Sequence, residues 1–287
     1  MKYFKTESEL YLPGGQPLGG TTETSVLQDT THLAISAHQD DIEFMAYSGI
    51  AECFGRKDKG FSACVVTNGG GSPRAGAYEK YTDAQMIEVR KAEQKRAADI
   101  GKYKSLSLLM YPSGEVKDKD NPNVITDLVK LLKATRPNIV YTHNFADKHD
   151  THVAVAARVL TAIRQLPKSE RPEKLYGCEV WRGLDWVCDG EKVSLDCADR
   201  PKLALEIMEV FDSQIAGGKN YARAVMGRRT SNATFAEAHG VDQHTQVTYA
   251  VDMTPLILND KLKPVAFMLE MIKAFETDVM NRIDKMI

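Results

Sequence analysis

The chain has 287 residues, of which 43% are hydrophobic and 26% charged, with a formal net charge of −2. This composition suits a soluble globular protein with an ample core and lacks the basic excess that nucleic acid or an anionic membrane would attract. No run approaches the ~18 apolar residues of a membrane span, and the opening MKYFKTESELYLPGG lacks the apolar stretch of a signal peptide. Five cysteines without a CxxC pair read as reduced thiols. A cytoplasmic protein is expected, with no nucleic-acid partner and no membrane span; self-association is left open.

In chain order, residues 1–30 are rich in Gly, Thr and Pro and read as an irregular lead-in. THLAISAH (31–38) has the length and apolarity of a buried strand, and apolar residues from Ile42 to Phe54 recur at helical spacing. FSACVVTN (61–68) is a second strand, closed by Gly69-Gly70-Gly71. Residues 79–101 read as a long polar helix with Gly101 as its stop. A third strand, SLSLLMYP (105–112), precedes an amphipathic helix at 124–135, and NIVYTHN (138–144) is a fourth strand. Asp150 or Thr151 caps a further helix whose Val153, Ala156, Ala157, Leu160 and Ile163 share a face.

Four strand–helix units in 166 residues predict an α/β fold, a parallel sheet with helices on both faces. Beyond residue 170 the pattern changes. CEVWRGL reads as a strand, WVCDGEKVSLDC as a hairpin turning at Asp189-Gly190, 200–217 and 219–228 as helices, TQVTYAVDM (245–253) as a strand, and the last 24 residues as an amphipathic helix. One domain over 1–287 is expected, with a parallel core at 30–166 and a mixed α+β extension at 170–287 that builds the pocket.

Ligands of open α/β sheets bind outside the carboxyl ends of the strands. There the first strand delivers Ala37-His38-Gln39-Asp40-Asp41 and the fourth His149-Asp150-Thr151-His152. Burying such groups without a cation or other partner is costly. A catalytic zinc takes three protein ligands and keeps a position for water. His38, Asp41 and His152 supply such a set, and zinc lowers the pKa of its water to about 7. Asp40, beside a ligand, is the natural base for that water. His149, one turn from His152, could donate to the oxyanion or to the leaving amine. Iron or another divalent ion could replace zinc.

AHQDD before a helix, then TNGG, an arginine–glutamate pair and HxxH resemble the PIG-L/LmbE-like de-N-acetylase family over roughly residues 30–255. The resemblance implies a Rossmann-like fold and zinc-dependent removal of the acetyl group from an N-acetylglucosamine-type compound, by zinc-hydroxide attack on the acetamide. It implies His38, Asp41 and His152 as zinc ligands, Asp40 as general base, His149 as the histidine that stabilises the transition state, and Arg90 as a substrate contact oriented by Glu93. Gln39 replaces the family's usual proline, Ile42 its usual glutamate with Glu43 one place on, and Thr151 its aspartate before the second histidine. Other readings are a zinc amidohydrolase acting on another small amide or acylated glycoside, and a non-catalytic sugar-binding relative.

The loop Asn68–Arg74 flanks the expected pocket and offers Arg74 as a sugar or phosphate contact. Ser213-Gln214 and Arg228-Arg229, with Glu237-Ala238-His239, resemble later motifs of the family. His143, at the end of the fourth strand, is the nearest rival among the remaining histidines. Trp181 and Trp186 could stack on a sugar, though packing is the plainer role for each.

Overall fold

The computed structural model describes residues 1–15 and 23–287. Among the described residues eight strands are formed: β1 (Glu9–Tyr11), β2 (His32–Ser36), β3 (Phe61–Thr67), β4 (Ser105–Tyr111), β5 (Ile139–His143), β6 (Lys174–Cys178), β7 (Lys192–Asp196) and β8 (Val247–Asp252). They make a single sheet in the order β1-β4-β3-β2-β5-β6-β8-β7. The five strands from β4 to β6 in that order are parallel, while β1, β8 and β7 each join antiparallel to a neighbour.

The apolar runs become strands because both faces of the central sheet are covered, so that β2, β3 and β4 are buried at every position. Alternate side chains enter two cores. Leu33 and Ile35 meet the helices Asn123–Thr135 and Asp150–Arg164, while Ala34, Ala63 and Val65 face the helices Tyr47–Cys53, Asp83–Ile100 and Pro201–Glu209.

The chain winds from β2 through β3 to β4 on one side, then returns to β5 and β6 on the other. The direction of winding reverses between β2 and β5, and the loops leaving their carboxyl ends diverge to opposite faces and open a crevice.

Several expectations are corrected. The lead-in is not wholly irregular: β1 pairs with β4, and Glu23–Gln28 is helical, while residues 16–22 lie outside the described residues. The helix from Ile42 to Phe54 is two, Asp41–Met45 and Tyr47–Cys53, broken at Ala46. The strand expected at CEVWRGL lies earlier, as β6, and no hairpin turns at Asp189-Gly190. β7 pairs instead with β8, which lies between it and β6. The long helix starts at Asp83, where Thr82 and Gln85 exchange the hydrogen bonds of a capping box. All five cysteines are free thiols. Among the described residues no helix is long and apolar enough to cross a membrane.

Candidate metal centre and active site

The crevice between β2 and β5 receives both clusters. The turn after β2 carries His38 and Asp40, and Asp41 begins the helix Asp41–Met45. The loop after β5 leads to His149, the N-cap of the helix Asp150–Arg164, which carries His152 in its first turn.

Three donor atoms form a near-equilateral triangle. His38 Nδ1 lies 3.2 Å from Asp41 Oδ2 and 3.2 Å from His152 Nε2, and His152 Nε2 lies 3.3 Å from Asp41 Oδ2. A tetrahedral ion with bonds of ~2.0–2.1 Å holds its donors about 3.3–3.4 Å apart, so the spacing and donor chemistry fit zinc or a similar divalent ion.

Two other groupings are close enough to hold an ion, His38–His149–His152 and Asp41–His143–His152. His143 Nε2 already accepts a hydrogen bond from the Ala37 amide at 2.9 Å, so its inward lone pair is engaged. His149 Nδ1 accepts from the Thr151 amide at 3.3 Å, which puts the proton of the neutral ring on Nε2 and makes that atom a donor rather than a ligand. The geometry favours the set read from the sequence.

The charges support this arrangement. Burial opposes protonation of His152, but the Asp41 and Asp147 carboxylates outweigh it and lift its pKa to about 9. Burial likewise raises Asp41, yet His152, His38 and His143 together hold it well below the usual carboxylate range. A cation at the centre competes with the shared proton. His149 is shifted down, first by burial and then by the neighbouring histidines.

The orienting carboxylate for His152 is Asp147, whose Oδ2 lies 3.2 Å from His152 Nδ1 and also accepts from the Trp181 amide. Such a partner fixes ring and tautomer at metal sites. Asp150 is exposed and opens the helix. The signal for Asp147 was a carboxylate five residues before His152, but nothing local told it from Asp150.

Asp40 is 6% exposed and takes a positive φ of 89°. Burial pushes its carboxyl up to about 6, against the pull of Arg90. Arg90 Nη2 donates to Asp40 Oδ2 at 2.9 Å and to the Gln39 carbonyl. Arg90 Nη1 donates to Glu93 Oε2 at 2.9 Å and to Ser213 Oγ, and Glu93 in turn accepts from the Ser213 amide and hydroxyl. Glu93 thus holds the Arg90 guanidinium and does not itself line the cleft. Arg90 reaches the cleft wall but spends its guanidinium on Asp40 and its neighbours. Gly69 fits under this corner with φ +74°, where a Cβ would stand 2.5 Å from Gln39 Oε1 and 3.1 Å from the Arg90 side chain.

A second support, which sequence reasoning missed, holds the Asp40 backbone. Its amide donates to Gln94 Oε1 at 3.1 Å, and Gln94 Nε2 donates to Glu43 Oε1, which also accepts from Tyr103 at 2.7 Å. Glu43 is fully buried, and burial pushes its pKa up to about 8. Arg229 donates to the Glu43 and Phe44 carbonyls and so closes the end of the helix that begins at Asp41.

The centre opens into a polar cleft of ≈ 490 Å³ whose wall includes His38, Ser72, Ser113, Lys117, His149 and Gln214. Arg74 is not among its lining residues; its guanidinium turns to the Gly70 carbonyl and Asp83. Trp181 lines the cleft, whereas Trp186 packs edge-on to Phe275. Glu237, Ala238 and His239 are exposed.

The comparisons agree with this architecture. The family model PIG-L: GlcNAc-PI de-N-acetylase matches residues 33–163. The chain is similar in structure to N,N'-diacetylchitobiose deacetylase from Pyrococcus horikoshii, with a TM-score of 0.60 and 16% identity over 79% of this chain and 85% of that one. A conserved protein from Thermus thermophilus gives 0.60 and 19% over 82% and 99%. The 4-carboxy-2-hydroxymuconate hydratase of Pseudomonas putida gives 0.60 and 15% over 78% and 96%. These likenesses show the fold, and within it residues 33–163, the parallel core that carries both clusters, match the PIG-L family model.

Proposed function

We propose that the protein is a zinc-dependent N-deacetylase acting on an amino-sugar compound. The observation that carries this reading is the triangle of His38, Asp41 and His152 donor atoms with the buried Asp40 carboxylate beside it. A divalent ion held there supplies Lewis acidity and makes a water nucleophile available near neutral pH.

The protein's own groups do the rest. Asp40, fixed through Oδ2 by Arg90, takes the proton of the attacking water and can return it to the departing amine. His149 presents its Nε2–H to the oxygen that gains charge in the tetrahedral intermediate. Arg90 and Glu93 keep Asp40 in place. The hydroxyls, amide and ammonium groups of Ser72, Ser113, Gln214, Lys117 and Lys219 suit the hydroxyl groups of a sugar. Because residues before 166 and after 212 both line the cleft, the parallel core and the C-terminal extension work as one unit.

Fold does not fix the bond attacked, and one structural neighbour is a hydratase. The family match and the His149 donor favour an amide substrate. The test is metal content of the purified protein together with acetate release from a panel of N-acetylglucosamine derivatives. About one zinc per chain and acetate from at least one derivative are expected. A fully loaded protein that releases none overturns the reading.

A further inference from the structure

A second chamber of ≈ 170 Å³ adjoins the polar cleft, and the two share Asp40, Asp41, Trp181 and Tyr221. Trp181 and Tyr221 stand edge to face, with ring centroids 6.3 Å apart, and Phe44 packs against Tyr221 at 5.3 Å. On the far side of this aromatic wall the lining turns apolar, with Phe44, Val180, Ala224 and Val225. Most of the polar bonds there turn into the protein, although Arg229 Nε and Nη1 are buried without a partner. Glu179 accepts from Asn232 and from the Leu184 and Tyr249 amides. Arg228 donates to the Val180 carbonyl, and Arg229 donates to two carbonyls and lies over the Tyr47 ring.

We infer that this chamber receives the acyl half of the substrate, and that it prefers an apolar chain of about four to six carbons over acetyl. The inference rests on the N-deacetylase reading of the neighbouring centre. A scissile amide above Asp40 and Asp41 sits where the compartments meet. Its hydroxylated amine half fits the polar cleft, and its acyl half points past Trp181 and Tyr221. At about 30 Å³ per water-sized group the chamber holds five or six such groups, far more than a methyl needs. In the reaction the amide C–N bond breaks, a C–O bond forms from water, and the products are a carboxylate and a free amine.

The test compares N-acetyl-, N-butyryl- and N-hexanoylglucosamine with the zinc-loaded protein, following free glucosamine. The expected kcat/KM rises about fourfold for each methylene until the chamber fills. Ala224→Trp and Val225→Trp should each cut the hexanoyl-over-acetyl preference by about tenfold or more. Acetyl turnover with no gain for longer chains overturns the inference and leaves the deacetylase reading intact. If no compound is turned over, that reading fails, and binding decides the chamber separately through the fluorescence of Trp181, with Trp181→Phe as control. Tighter binding of N-hexanoyl- than N-acetylglucosamine, lost in Ala224→Trp, supports an alkyl site. Equal affinities overturn it.

Discussion

Asp40 takes a left-handed backbone conformation that Asp and Asn tolerate better than other non-glycine residues. Asp40→Asn is therefore the clean probe, since it keeps the turn and removes the base. It should retain zinc by metal analysis and lower kcat by about 10²–10⁴. Asp147→Asn leaves the three ligands in place but loses the carboxylate behind His152. Competitive chelation should then report zinc affinity about 10–100-fold weaker. Glu43 gives a pH signature. It is protonated in the folded protein up to about pH 8, while in the unfolded chain it ionises near its ordinary value of 4.5. The unfolded state thus binds fewer protons across that window, and stability falls as pH rises from about 4.5 to 8. Melting temperatures should show Glu43→Gln gaining on the wild type through that range, and a constant offset would contradict it. At this scale the clustering of His38, Asp41 and His152 was legible because they follow the ends of two apolar strands. Asp147, Gln94 and Tyr103 were not, because their roles depend on which distant residue each one meets.

Among the elements, the loop after β3 shows how a helix, a strand end and a motif are locked together. Gly69 lets the chain pass beneath Gln39 and Arg90. Gly69→Ala places a Cβ against Gln39 in a left-handed conformation and should cost about 1–2 kcal/mol, read as a lower denaturation midpoint. The parallel strands were legible because their burial on both faces writes itself as unbroken apolar runs. The extension was less so. Val180 and Trp181 gave 178–184 the composition of a strand, yet they leave β6 to line the chamber. β7 pairs with a strand about fifty residues later, and no local pattern encodes that partnership. The break at Ala46 was hidden too, because both short helices bury apolar residues at compatible spacing.

At the scale of the whole molecule, the centre ties together two halves of a sheet that are wound in opposite directions. A ligand that binds only the folded state stabilises it by mass action, about 4 kcal/mol at a thousandfold excess over Kd. Zinc should accordingly raise the melting temperature of the wild type by roughly 7 °C, and much less in His152→Ala; equal shifts would place the ion elsewhere. The same arrangement has a consequence in time. His38 and His152 are 114 positions apart, and a ribosome adding ~5–20 residues per second separates their synthesis by about 6–23 s. The nascent chain must therefore carry its first histidine and both aspartates through that interval without their partner. An ion held by the proposed ligands could not template the early strands, and its capture would report that β5 has docked beside β2.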